Sequence, residues 1–305
     1  MSRAAGIRPG AIVVLALLLQ PAWASAQELE PGAYWPIPRG LNILTVVNSF
    51  NVGDLAFDPA APIDEASATI NTTALSFTRA FNLAGRSANA GIFFPVVAGH
   101  VEGVYLGERA EVGRFGQGDP RLRLAINLYG APSMTPQEFA AYRQGLIVGV
   151  SVVVSPPLGQ YDSTKLINLG TNRWSFKPEL GISRTSGKWV VEGMAGVWLF
   201  TDNTKFIGGR TREQDPIFAT QFHLTYKFTR TMWLAGDANF FTGGRTTIGG
   251  TENLDLQRNS RIGATFSTAL DRHQAIRMSV SRGAYTTIGA AFTSIAFGYN
   301  YAWLR

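Results

Sequence analysis

The 305-residue chain contains no cysteine. That excludes a disulfide framework and a thiolate metal centre. Charge is scarce as well: Asp, Glu, Lys and Arg make up 16% of the residues, against about 25% in an ordinary soluble domain. An outer surface that need not dissolve in water fits that shortage. Histidine occurs only three times, at His100, His223 and His273. No H-E-x-x-H motif, EF-hand loop or Cys/His spacing is present, and no G-x-x-x-x-G-K-[ST] phosphate loop, so no metal or other cofactor is expected. The net charge of +6 comes without the Lys/Arg run that tracks phosphates, so nucleic acid is not an expected partner. After residue 26 no apolar stretch is long enough for a transmembrane helix. The longest apolar-rich run, LIVGVSVVV at 146–154, has the length of a tilted membrane strand.

What is present begins with an address label. Arg3 and Arg8 make a basic start, Ala11 to Leu19 is a short apolar run, and Ala24-Ser25-Ala26 is a small-x-small cleavage site. This reads as a bacterial signal peptide cut after Ala26, leaving residues 27–305 as the mature domain. Its loss removes two arginines and no acid, which lowers the net charge from +6 to +4.

Alternation with period two then recurs along the whole chain. In FATQFHLTYKF (218–228), the mostly large and apolar set Phe218, Thr220, Phe222, Leu224, Tyr226 and Phe228 opposes Ala219, Gln221, His223, Thr225 and Lys227. A strand sends successive side chains to opposite faces, so each such segment has one apolar and one polar face. Twelve segments are expected as strands, near 41–55, 67–83, 87–104, 119–130, 145–155, 172–185, 188–201, 214–228, 231–242, 257–270, 273–283 and 289–303. The first and third alternate poorly, and Pro95 interrupts the third. Tight turns near 85–86, 186–187, 229–230 and 271–272 take turns along the chain with longer Gly- and Asn-rich stretches at 105–118, 156–171, 202–213 and 243–256. Thr135-Pro136-Gln137-Glu138 is a capping box with Pro at the first helical position, so a short helix is expected in 131–144. The RTTI stretch between Gly243-Gly244 and Gly249-Gly250 reads as a flexible loop.

An even count of apolar-faced strands in an exported, charge-poor chain implies an all-β fold: a transmembrane antiparallel β-barrel of about twelve strands in the bacterial outer membrane. The long loops then face outward and the tight turns face the periplasm. Apolar faces meet lipid, and strand-end aromatics such as Trp174, Trp189, Tyr226, Tyr301 and Trp303 form girdles. The polar faces line the lumen. They bring Arg123, Lys177, Glu179, Glu192, His223, Lys227, Asp237, Arg261 and Arg277 inward, with Trp198 and Phe292 as surfaces for stacking an aromatic solute. None of the three histidines falls on the expected lipid face, so no Ser–His couple faces lipid and an enzyme is not expected. No plug domain is visible.

Several segments resemble one family of bacterial outer-membrane transporters, named for the meta-pathway of phenol degradation. They are GAYWPIPRGLNIL (32–44), GDPRLRLAINLYGAP (118–132), PPLGQYDSTKLINLGTNRWSFKPELGIS (156–183), WVVEGMAGVWLFTDN (189–203) and DPIFATQFHLTYKF (215–228). The resemblance spans nearly the whole mature chain. It implies a β-barrel linked to uptake of aromatic or other small hydrophobic compounds, and it carries no binding residues. The function expected is passive passage of small solutes, with the loops at 105–118, 156–171 and 243–256 as gates. A structural barrel with a filled lumen is the second reading, and an outer-membrane hydrolase the third. The partners expected are a small-molecule solute, outer-membrane lipid and the barrel-assembly machinery during biogenesis. If the lumen conducts, Lys177→Glu is expected to change ion preference in a planar bilayer; in a sealed barrel it changes nothing.

Overall fold

The computed structural model describes residues 29–56, 63–105, 107–165 and 167–304. The expected signal peptide lies outside them. Seventeen strands form among the described residues: β1 (Leu41–Ala56), β2 (Ile63–Leu83), β3 (Arg86–Tyr105), β4 (Glu108–Gln117), β5 (Arg121–Tyr129), β6 (Leu146–Ser155), β7 (Ser175–Ser186), β8 (Trp189–Phe200), β9 (Asn203–Phe206), β10 (Arg210–Gln214), β11 (Ile217–Lys227), β12 (Met232–Gly243), β13 (Thr246–Ile248), β14 (Thr251–Glu252), β15 (Gln257–Ala269), β16 (Gln274–Thr286) and β17 (Gly289–Leu304). Twelve of them close a ring of antiparallel neighbours, in which β1 pairs with β17 from Leu41↔Leu304 to Ala56↔Gly289. Closure leaves the ring of twelve without a free edge, which is what allows a sheet to stand in lipid.

The apolar faces point outward. On β11, Phe222 is 59% exposed while its neighbour His223 is 2% exposed, the inverse of a soluble core. The same inversion holds on β7, where Leu180 and Ile182 are exposed and Lys177, Glu179 and Ser183 are buried. Aromatic pairs gather at the two rims. Trp189 meets Tyr226 at 4.8 Å and Tyr226 meets Phe228 at 5.2 Å at the end with the tight turns. Trp174 stacks on Phe176 at 6.2 Å at the end with the long loops. At the turn end, Ala84 and Gly85 both take positive φ (48° and 79°), the geometry of a two-residue hairpin turn matched to the strand twist.

Helix α1 (Pro136–Ala141) forms as its capping box predicts. Thr135 Oγ1 accepts from the Glu138 amide at 3.3 Å, and Glu138 accepts from the Thr135 amide at 2.7 Å.

Three segments expected as loops are strands. Residues 108–117 form β4, which pairs with the upper half of β3 (Val96–Tyr105), while the lower half (Ala88–Phe93) pairs with β5. Pro95 sits between those two partners, where its missing N–H breaks no pairing. The stretches at 202–213 and 243–256, including RTTI, contribute β9, β10, β13 and β14 to a separate four-stranded sheet over the loop end. These strands lack a lipid-facing side, so the alternation that marks the wall is missing from them.

Leu180 lies midway along β7 on the lipid face. Leu180→Arg is expected to cost about 2–4 kcal/mol in unfolding from lipid vesicles, because a guanidinium replaces an alkyl group near the hydrocarbon midplane. A denaturant titration in vesicles measures it, and a neutral result contradicts the membrane placement of this face.

Candidate solute pathway

Residues 29–40 enter the ring as a strap. Pro31, Pro36 and Pro38 lie in it, so it carries three fewer amide donors to satisfy. The wall meets the groups that remain. The Glu30 amide donates to Gln221 Oε1 at 3.1 Å, and the Gly32 amide to Glu192 Oε2 at 3.0 Å. Asn127 Nδ2 donates to the Tyr34 carbonyl at 3.1 Å. Arg123 donates to the Ala33 carbonyl at 3.4 Å and lies 5.3 Å from the Tyr34 ring.

Tyr34 is the anchor and is 2% exposed. Its ring occupies a slot made by Gly149 and Gly181, which face each other across β6 and β7. A Cβ on Gly149 would stand 2.4 Å from the ring, and one on Gly181 2.1 Å. The hydroxyl bonds Ser151 Oγ at 3.0 Å and donates to Glu179 Oε1 at 3.1 Å. Burial, followed by the Glu179 charge, raises the Tyr34 pKa, so the group stays a donor. Trp35 sits edge-on to Trp233 at 5.5 Å, with Lys227 Nζ 4.2 Å from its ring.

The eleven polar and aromatic positions expected inside lie on inward faces, and they divide by packing. Lys177, Glu179, Glu192, Trp198, His223, Asp237 and Arg261 are buried on the half of the wall from β7 to β15. Lys177 pairs with Glu179 at 3.1 Å. His223 Nδ1 meets Asp237 Oδ1 at 2.7 Å, and Thr265 donates to Asp237 Oδ2 at 2.6 Å. Arg261 donates to Ser294 Oγ at 2.7 Å and the Phe292 carbonyl at 3.0 Å. Trp198 is enclosed with Val153, Ile217 and Phe241, so it offers no open stacking face. Arg123 and Lys227 are half-buried against the strap, while Arg277 remains exposed beside Trp233. His100 departs from expectation: it lies on the outward face of β3, half exposed, 3.7 Å from Glu111. Among the described residues no group of three metal-ligating side chains forms.

The other half of the wall carries short side chains. On β1, Thr45, Val47, Ser49 and Asn51 face inward, flanked by Ser76, Ala74 and Thr72 of β2 and by Asn300, Gly298, Ala296 and Ser294 of β17. Such short side chains cannot reach across the ring, so space remains beside the strap. Toward the loop end this column enters a cavity of about 290 Å³. Ile70, Val97, Val101 and Phe292 form an apolar wall, and Arg114, Asp119, Asn168 and Thr171 a polar one. Above it Ile167, Phe206, Ile207 and Ile248 of the loops close an apolar roof on Ile70 and Phe292. Asp119 holds the loop beneath the roof, accepting from Gly159 N at 2.8 Å and from the amide and hydroxyl of Thr171, each at 2.7 Å. Space left by small inward residues was expected from the sequence; the strap was not. The available signal was Tyr34-Trp35 between prolines, together with two inward glycines on adjacent strands.

A closed ring of twelve strands with lipid-type outer faces, a strapped lumen and a roofed mouth is an outer-membrane-type β-barrel. Residues 46–301 match the family described as "Putative MetA-pathway of phenol degradation", and the chain belongs to that family. Its fold is similar to that of the COG4313 outer membrane channel from Pseudomonas putida F1, with 22% identity, coverage of 90% of this chain and 100% of the other, and a TM-score of 0.76. It is also similar, more distantly, to the transport unit of the autotransporter AIDA-I from Escherichia coli, with 8% identity, 96% coverage of each chain and a TM-score of 0.51. No curated protein matches the chain.

Gly181→Ala is expected to displace the Tyr34 ring, lower stability by about 1–3 kcal/mol and raise single-channel current as the strap loosens. Gly236→Ala is the control, since nothing lies within 4 Å of a Cβ there. Equal stability and current in the two variants would show that Tyr34 does not hold the strap.

Proposed function

We propose that the chain is a passive outer-membrane channel for small solutes with an apolar, including aromatic, body. The observation that carries this reading is the open column of small residues beside the strap, continuous with the 290 Å³ cavity. A cavity of that size, at the lower end of small-molecule sites, suits a single-ring compound. Its mixed walls would take up an apolar body and a polar tip together. Residues 1–26 direct export and are removed after Ala26. The loop end faces outward, where the roof over Phe292 acts as the gate, and the girdles rest in lipid after insertion by the barrel-assembly machinery.

Of the eleven inward positions, Arg277, Arg123 and Lys227 are accessible enough to act on a passing solute, and Phe292 lines the cavity. The other seven hold the wall and strap together. Lys177→Glu therefore makes a poor probe of selectivity, since it would set a second carboxylate against Glu179 inside the packed half. Arg277 takes its place.

One observation favours a second reading, a structural barrel with a filled lumen: half of the interior is packed with buried, mutually bonded side chains. Single-channel recording separates the two. The channel reading expects discrete steps from the wild type, larger steps after deletion of residues 29–38, and a shift toward cation preference in Arg277→Glu. Silence from both the wild type and the deletion, in protein that shows the heat-dependent gel shift of a folded barrel, would leave the structural reading.

A further inference from the structure

Two arginines lie under the four-stranded sheet at the loop end. Arg173 precedes β7 and is 6% exposed; Arg212, on β10, is 8% exposed. Gln214, two residues along β10 on the same face as Arg212, accepts a hydrogen bond from Arg173 Nη2. Arg173 Nε, Arg173 Nη1 and Arg212 Nε have no acceptor among the described residues. Of the neighbouring carboxylates, Asp202 is exposed and the other two are committed elsewhere. Asp119 holds Gly159 and Thr171, and Asp255 accepts from the Thr246 amide at 2.8 Å and its hydroxyl at 2.6 Å.

Buried guanidinium donors without acceptors are strongly unfavourable, and more so when two like charges share the site. Burial first, then repulsion from Arg212, holds Arg173 well below the ordinary guanidinium pKa; burial lowers Arg212 to about 10. A guanidinium does not give up its proton inside a protein at neutral pH, so both are cations.

We propose that Arg173 and Arg212 form a binding site for the carboxylate of a small organic acid, using the orphaned N–H donors of both guanidiniums. Two features select that class over a phosphate or sulfate. Phenyl rings flank the site: Phe200 lies 4.3 Å from the Arg173 guanidinium and Phe206 lies 6.0 Å from that of Arg212. Asp119, Asp202 and Asp255 stand within electrostatic reach and disfavour a higher negative charge. Thr171 and Ser175, two residues either side of Arg173, line the outer cavity. The site thus lies next to the space assigned above to the solute, and the solute class rests on that assignment.

Benzoate titrated into the purified full-length chain in detergent, followed by calorimetry, tests the site. Saturable binding is expected, weakened about tenfold or more in Arg173→Gln and in Arg212→Gln, as loss of a charge-assisted hydrogen bond requires. Benzyl alcohol, which lacks the carboxylate, is expected not to compete. Lys165→Gln, at an exposed surface pair, is expected to bind as the wild type does. If either glutamine variant fails the heat-dependent gel shift, the corresponding lysine variant replaces it. It keeps the charge, loses the Nε donor, and is expected to bind more weakly than the wild type. Undiminished benzoate binding in the variants, or equal binding of benzyl alcohol, overturns the proposal. Sulfate binding in preference to benzoate overturns the organic-acid class. Bilayer currents measured without acid are independent of this titration, so a silent bilayer sinks the channel reading and leaves the site standing.

Discussion

A strap of irregular chain inside a barrel can exist only if its backbone amides and carbonyls are met there, since little bulk water replaces a missing partner. Gln221, Glu192, Asn127 and Arg123 meet them from three different strands. That requirement accounts for much of the polar character of the packed half of the wall. It also explains why the two halves differ. Where the strap lies against the wall, long polar side chains reach it and bury each other. Where it does not, the wall carries Ser, Thr, Ala and Gly, and space is left.

The buried ion pairs belong to the same logic. Lys177 with Glu179, and His223 with Asp237 and Thr265, are almost fully buried. A buried pair is weak evidence for stability, because the desolvation of both partners offsets their attraction. Here each pair also orients a neighbour. Glu179 is held by Lys177 so that it can accept from Tyr34, and Asp237 fixes the His223 ring beside Glu192 on the adjoining strand. Rigidity of the strap is the consequence, and the width of the open column follows from it.

The roof repeats the problem at the loop end with a different solution. Loops and the four-stranded sheet bury an apolar cluster over the cavity, using Ile167, Phe206, Ile207 and Ile248. Asp119 and Asp255 tie the loop backbones below. A roof held by apolar contact and a few side-chain clasps can open without breaking the barrel ladder. The wall cannot do so.

By itself the sequence determined the barrel. Each wall strand separates lipid from a polar interior, so period two is imposed on it, and all twelve segments were legible to within a few residues, including the strand holding Pro95. The inward direction of Lys177, His223 and Arg277 followed from the same parity, and the capping box at Thr135 marked its helix. Parity gives direction only. It does not say how far a side chain reaches or what it meets across the ring. Tertiary structure alone decided that Lys177 is sealed while Arg277 stays accessible, and that Trp198 is core while Phe292 lines a cavity. It alone placed Tyr34 in the slot between Gly149 and Gly181. The strands of the roof were illegible for a related reason: none of their faces meets lipid, so no alternation was imposed on them.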